Sequence, residues 1–268
     1  MNAERAVLRL ENITFTRDGR RILDDVTFRV TAGEHWLVLG ANGSGKTTLL
    51  RIASMYEHPS SGTVHVLGEQ LGRTDVRVLR RRVGYASAAL AAQFRTDLTA
   101  TEVVMTAKNA ALEPWWHRYT DDDRARAVDC LDRLGVAPYR DRSIATLSSG
   151  EQQRVFLART LMNDPGVILL DEPSARLDLG GREQLVEALD DLTTQATPFV
   201  LVTHHVDEVP AGVTHALLLR DGLVLTQGQI DQTLTSDTLS DCFRMPLQLE
   251  RRGDGRLTAW RVNESSRR

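Results

Sequence analysis

The stretch Gly40-Ala41-Asn42-Gly43-Ser44-Gly45-Lys46-Thr47-Thr48 follows directly on the apolar run Trp36-Leu37-Val38-Leu39. A buried strand that runs into a glycine-rich turn and then a helix, here through Leu49-Leu50-Arg51-Ile52, is the phosphate-binding loop pattern G-x-x-x-x-G-K-[ST] in its required context. A phosphate chain needs many donors at short range, and a loop poor in side chains lets successive main-chain N–H groups turn inward. The start of a helix adds unpaired N–H groups and the positive end of its dipole. In such a loop Lys46 reaches the β- and γ-phosphates and the Thr47 hydroxyl ligates Mg²⁺. The competing reading is a Gly/Ser turn with an ordinary surface lysine, and the flanking strand and helix argue against it.

The 268 residues suit one large domain, or one domain with an appendage. A net charge of −3 offers no electrostatic reason to expect nucleic-acid binding. No apolar run approaches the length of a membrane span, and Met1-Asn2-Ala3-Glu4-Arg5 lacks the apolar stretch of a signal peptide. Cys130 and Cys242 lie far apart, so a reduced, cytoplasmic setting is expected rather than a disulfide framework. Any membrane association would then come through a partner.

Ahead of the loop, Val7–Leu10, Ile13–Phe15 and Val26–Val30 alternate as half-buried strands do, with a turn at Arg17–Arg20 and a close at Thr31-Ala32-Gly33. They predict a small antiparallel β subdomain beside a nucleotide-binding core. After the loop, Thr63–Gly68 and Val83–Ala86 read as strands, with His65 facing the surface. Arg77–Arg82 reads as a solvated helix face, with nucleic-acid contact as the alternative. The chain then turns helix-rich from about residue 88 to 163. Thr101 is placed to cap a helix from Glu102, Asp121-Asp122-Asp123 to open another, and Ala125, Val128, Leu131 and Leu134 to form its apolar stripe up to Gly135. Pro114–Tyr119 puts three aromatics in one loop, which either packs over the core or anchors a partner. Val167–Asp171, Phe199–Thr203, Ala216–Leu219 and Leu223–Leu225 are apolar runs suited to parallel strands covered on both faces. Beyond Gly228 come a short helix over Thr235–Phe243 and a β-hairpin from Leu247–Glu250 and Leu257–Trp260. The hairpin reads as cover for an edge or apolar patch, ahead of a regulatory role, and Asn263–Arg268 as a frayed tail.

Two further segments carry chemistry. In Leu170-Asp171-Glu172-Pro173, an acid at the end of a buried strand stands where a phosphate-loop ATPase holds Mg²⁺, and Glu172 is placed as general base for water. In Leu147-Ser148-Ser149-Gly150-Glu151-Gln152-Gln153-Arg154, Ser148 is suited to cap a helix carrying Phe156, Leu157 and Leu161. The start of that helix makes a second anion site.

With these segments in order, the chain resembles the ATP-binding cassette (ABC) ATPases. Their signature Leu-Ser-Gly-Gly-Gln/Glu is matched at Leu147–Glu151 except that Ser149 replaces the first glycine. Ser174-Ala175-Arg176-Leu177-Asp178 looks like the D-loop, and His204 looks like the switch histidine, the alternative for it being a strand-end core histidine. Neighbouring His205 reads as ordinary. The resemblance covers roughly residues 7 to 228. It implies an α/β, mostly parallel P-loop core with an N-terminal antiparallel β subdomain and a helical subdomain at about 88–163, all within an ATPase domain at 1–228. Residues 229–268 form a C-terminal extension.

The resemblance also implies a pair of cassettes, as a homodimer or with a related cassette, set head to tail with ATP between them. Each ATP would lie between Gly40, Ala41, Asn42, Gly43, Ser44, Gly45, Lys46, Thr47 and Thr48 of one subunit and Ser148, Ser149, Gly150, Glu151 and Asp178 of the other. Thr47 and Asp171 would hold Mg²⁺, while Glu172, His204 and Lys46 serve hydrolysis. Two departures stand out. Arg17 occupies the position of the family's adenine-stacking aromatic, although a guanidinium can also stack on a base. The glutamine expected after Val83-Gly84-Tyr85 is missing, with Ser87 and Ala88 there and Gln93 displaced, which bears on hydrolysis rate and coupling.

The implied function is an ATP-hydrolysing subunit that powers transport through separate membrane-spanning partners at the inner face of the cell membrane. The alternative is a cytosolic ATPase whose nucleotide-driven dimerisation switches a soluble partner, and the missing glutamine favours it. That gap and the run Thr203-His204-His205 give a looser likeness to single cassettes of iron-complex or molybdate uptake.

Overall fold

The computed structural model describes residues 6–175 and 177–262. Met1–Arg5, Arg176 of the D-loop-like segment and the tail Asn263–Arg268 lie outside the described residues.

Strands β1 (Ala6–Arg17) and β2 (Arg20–Thr31) form the expected hairpin, closing at Arg17 opposite Arg20. Their alternation places Leu8, Leu10, Ile13, Val26, Phe28 and Val30 in the core. Strand β3 (His35–Leu39) is buried along its whole length and delivers the glycine loop to helix α1 (Lys46–Ala53). Strands β4 (Ser61–Val66) and β5 (Glu69–Gln70) complete an antiparallel sheet of order β2-β1-β4-β5. Helix α2 (Val76–Arg80) carries the basic cluster and precedes β6 (Val83–Ser87).

Helices α3 (Ala88–Ala91), α4 (Ala100–Met105), α5 (Asp121–Arg133) and α6 (Ser149–Leu161) make up the helix-rich segment. The chain then runs through β7 (Val167–Asp171), α7 (Leu179–Thr193), β8 (Phe199–Val202), β9 (His215–Arg220) and β10 (Leu223–Gln229). The main sheet has the order β10-β9-β3-β8-β7-β6. Every neighbouring pair in it is parallel except β10 on β9. This order places the carboxyl ends of β3, β8 and β7 side by side, where ligands of open α/β sheets bind. Helices α8 (Ile230–Thr233) and α9 (Ser236–Phe243) and the hairpin of β11 (Leu247–Arg251) and β12 (Leu257–Arg261) finish the described chain.

Four local expectations need correcting. The cap of α4 is Thr99, not Thr101: residue 99 leaves helical dihedrals at φ −72°, ψ 159° and forms a capping box with Glu102. Thr101 sits inside the helix, and its hydroxyl donates to the Arg140 carbonyl at 2.8 Å. The buried stripe of α5 is Ala127, Cys130, Leu131 and Leu134, whereas Ala125 is exposed. The short turn at Asp221-Gly222, where both residues take positive φ, folds β10 back antiparallel as an edge strand and leaves Leu223 half-exposed. Finally, the aromatic loop packs on the core only at its ends, through buried Pro114 and half-buried Tyr119: Trp116 is 85% and Trp115 52% exposed, with the Arg95 guanidinium 4.5 Å from the Trp115 ring centre.

Candidate nucleotide site

The glycine loop is shaped by two close approaches. A Cβ on Gly40 would stand 2.2 Å from the Leu219 carbonyl oxygen, and one on Gly45 would stand 2.6 Å from Leu23 Cδ2. Gly45 is also the N-cap of α1 with φ 105°, and it supplies no side chain to the first-turn N–H groups. Those donors are therefore open to an anion. Ser44 adds a buried hydroxyl with no hydrogen-bond partner.

Lys46 is buried, and its ammonium donates to the carbonyls of Gly40 at 2.8 Å and Ala41 at 3.1 Å. Burial lowers its pKa, while the carboxylates of Glu172 and Asp171 oppose that shift. The Thr47 hydroxyl donates to Asp171 Oδ1 at 3.1 Å, across a separation of 124 residues. Burial is the main cause that pushes Asp171 up to about 6, with Thr47 and Lys46 pulling the other way. Among the described residues no group of three or more His, Cys, Asp or Glu could hold a metal. The hard oxygens of Thr47 and Asp171 nevertheless fit Mg²⁺, which takes one or two protein ligands and completes its shell with phosphates and water.

Glu172 lies just beyond β7 at φ 48°, a left-handed conformation that is uncommon for this residue type. Its N–H donates to the Val202 carbonyl at 2.9 Å, which holds the strained residue against the end of β8. His204 leaves that same strand end, and its Nδ1 stands 3.2 Å from Glu172 Oε1. The His205 ring lies 4.0 Å from that of His204, centre to centre.

Ser87 pairs in register with Asp171 across β6 and β7. Its hydroxyl accepts the Leu90 N–H at 3.1 Å and so serves as the cap of α3. Gln93 donates to the Ala89 carbonyl at 3.1 Å on the surface and does not take the missing glutamine's place. Arg17 pairs with Glu57 at 2.7 Å and is not among the residues lining the cleft. That cleft, about 620 Å³, is walled by the glycine loop, Arg20, Arg21, Ile22, Asp221 and Glu172. Arg20, Arg21 and Asp221 escaped the sequence reading. Their turns meet through long-range contacts, among them the Asp24 N–H donating to the Gly222 carbonyl at 2.9 Å, which leave no local signal.

Ser148, Ser149, Gly150, Glu151 and Asp178 gather at a second hollow of about 370 Å³, together with Tyr139, Gly180 and Gly181. Ser148 caps α6 as expected: the Glu151 N–H donates to its Oγ at 3.3 Å, and Glu151 Oε2 accepts the Ser148 N–H at 2.7 Å. The bond from the Ser148 main chain is the main cause that lowers the Glu151 pKa. Asp178 caps α7 by accepting the Gly181 N–H at 2.8 Å. The two hollows share no lining residue.

The family model for ABC transporters matches residues 23–175. An uncharacterized ABC transporter ATP-binding protein of Bacillus subtilis (strain 168) is 36% identical over 91% of this chain and 93% of its own. The hemin import ATP-binding protein of Rhodococcus jostii (strain RHA1) is 33% identical over 90% of this chain and 81% of its own. Among solved structures, a dimeric ATP-binding cassette bound to ADP and Pi in a post-hydrolysis state superposes with a TM-score of 0.72 at 27% identity, covering 83% of this chain and 98% of that one. A chain of an inward-facing ABC transporter described as of metal-chelate type has a TM-score of 0.77 over 98% of this chain and 100% of its own, and at 23% identity it speaks for the fold. The matched span takes in the glycine loop, the acidic strand end and the capped helix α6, and the chain belongs to the ABC transporter family as an ATP-hydrolysing, ATP-binding cassette.

Proposed function

We infer that this cassette works in a head-to-tail pair and that ATP hydrolysis in the pair drives transport through separate membrane-spanning subunits. One observation carries the mechanism: Lys46, Thr47, Asp171, Glu172 and His204 converge at one edge of the sheet, while the signature residues form a different hollow. A triphosphate on the glycine loop meets main-chain donors and the Lys46 ammonium, whose present carbonyl partners are exchangeable for phosphate oxygens. Thr47 and Asp171 would hold Mg²⁺, which when bound neutralises charge on the β- and γ-phosphates. Glu172 takes the proton from the attacking water, and His204, hydrogen-bonded to it, orients its carboxylate and meets the γ-phosphate. Ser148–Glu151 and Asp178 act on the nucleotide of the second subunit, where the first-turn N–H groups of α6 that the capping box leaves open supply donors.

The division of the chain into an ATPase domain at 1–228, with a helical part at about 88–163, and an extension at 229–268 belongs to the same reading. The exposed pair Trp115 and Trp116 on the helical part supports docking to a membrane subunit, since exposed aromatics beside an arginine are typical interface anchors. Among the described residues no helix is long and apolar enough to cross a membrane, so placement at the inner face of the cell membrane would come through that partner. Relatives named for metal, hemin and phosphonate transport support a cargo among charged or metal-bearing solutes, with the choice made by the membrane subunit.

The second reading is a soluble switch, favoured by Ser87, whose hydroxyl is committed to capping α3. Affinity capture from membranes with and without ATP separates the two. Recovery of a multi-span protein supports transport, and recovery of soluble partners alone overturns it.

A further inference from the structure

The C-terminal hairpin is fastened to the turn that follows the switch histidine. β12 packs on the short 3-10 turn Val206–Glu208, with Leu257 buried between them and the core. Arg256, the residue before β12, donates from Nη2 to the Asp207 carbonyl at 2.6 Å. The same guanidinium forks onto Glu183 of α7, with Nη1 on one carboxylate oxygen and Nη2 3.2 Å from the other.

The next residue of the turn, Glu208, is only 4% exposed. One of its oxygens accepts the Ser174 hydroxyl and, at 2.9 Å, the Thr203 hydroxyl. Arg182 lies 3.7 Å from the other oxygen, which has no hydrogen bond among the described residues. Ser174 is two residues past Glu172, and Thr203 immediately precedes His204. Glu208 therefore ties together the two loops that carry the Glu172–His204 pair, and Arg256 holds the turn that carries Glu208. A carboxylate buried on hydroxyl donors is a costly way to cover an apolar patch. It is a direct way to set the spacing of two loops.

We propose that Glu208 and Arg256 are positioning residues for ATP hydrolysis, and that the C-terminal hairpin sets the spacing of Glu172 and His204 through them. The proposal rests on the roles given above to Glu172 and His204. It assigns the hairpin a task beyond covering an edge.

The test uses the full chain and the variants Glu208→Gln, Arg256→Gln, Arg256→Lys and Arg251→Gln. Arg251→Gln removes two different hairpin ties, the 2.6 Å bond to Asp231 and the 2.8 Å bond to the Gly255 carbonyl, neither of which involves the switch turn. ATPase kcat and KM and binding of ATP are measured well below the melting temperature, and the thermal midpoint of each variant is determined alongside. Glu208→Gln and Arg256→Gln are expected to lower kcat by about tenfold or more with KM and ATP affinity within about twofold. Arg256→Lys, which can still donate to the Asp207 carbonyl, recovers part of that loss, and Arg251→Gln leaves kcat unchanged. Unchanged kcat in Arg256→Gln overturns the proposal, as does an equal loss in Arg251→Gln. Should Glu208→Gln fail to fold, the Arg256 pair decides alone. Glu172→Gln is run alongside: if it keeps the wild-type rate, the reading of the site fails, whereas an inactive Glu172→Gln beside a normal Arg256→Gln removes this proposal only.

Discussion

His204 Nδ1 stands 3.2 Å from Glu172 Oε1, although the two residues are 32 positions apart and leave the ends of neighbouring parallel strands. Parallel pairing of β7 and β8 in register, Asp171 opposite Val202, sets both on the same edge. The strained φ of Glu172 then turns its carboxylate toward the histidine side.

Glu172→Gln keeps the size of the side chain and one acceptor oxygen but cannot take up a proton. Its hydrolysis rate is expected to fall by about a hundredfold or more. Both phosphate sites are intact in this variant, so ATP should hold it as a dimer. Size-exclusion chromatography with light scattering, with and without ATP, checks this, and a monomer at high ATP concentration would falsify the paired arrangement.

Asp171→Asn should stabilise the nucleotide-free protein while abolishing activity. The buried carboxylate is pushed up to about 6 from an ordinary 3.8. The folded state therefore binds more protons than the unfolded state between those values, and wild-type stability rises as pH falls through that window. Replacing the charge is expected to gain up to about 3 kcal/mol at neutral pH. Urea denaturation of both proteins without nucleotide measures the gain, and equal stability at neutral pH would contradict it.

His35 works in the opposite direction. The ring is 4% exposed, its Nδ1 is buried without a partner, and the Phe199 ring lies 4.7 Å away. Burial lowers its pKa below the ordinary value of 6.5. The neutral ring is at home in the fold, so its contribution is complete above that value and is lost as pH falls through it toward the depressed one. His35→Phe should flatten the fall in stability as pH drops below about 6.5. A pH series of denaturation curves reads the slope, and a slope equal to wild type would remove His35 as its source.

Trp116→Ala and Trp115→Ala should leave ATPase activity and thermal stability close to wild type, since both rings are exposed. Truncating an exposed anchor is expected to cost about 2 kcal/mol or more of partner binding, roughly thirtyfold in affinity. Capture of the membrane partner from detergent extracts gives the answer. Undiminished capture by the double variant would move the docking surface elsewhere.

Much of the core fold and the phosphate-binding half of the site was legible from local order alone. Gly40–Thr48 is a continuous segment whose conformation follows from glycine spacing, and β3, β7 and β8 are runs buried along their whole length. Ser148 announces a helix start because a cap acts within its own turn, whereas the Asp178 cap of α7 emerged only in the structure. Thr101 and Ala125 were misplaced for the same reason in reverse: a shift of two residues moves a cap or a stripe without altering composition.

Composition and spacing determined that this chain builds a phosphate loop, an acidic strand end and a capped signature helix, because each is written within a few consecutive residues. Tertiary structure alone decided which of them meet. The sheet order brings Thr47 to Asp171 and Glu172 to His204, the Asp24–Gly222 contact brings Asp221 beside Arg20, and Arg256 reaches back to Asp207. It also drew Arg17 to Glu57 and committed the Ser87 hydroxyl to a helix cap. Side-chain partners across long chain separations depend on strand order and packing, and no local pattern encodes either.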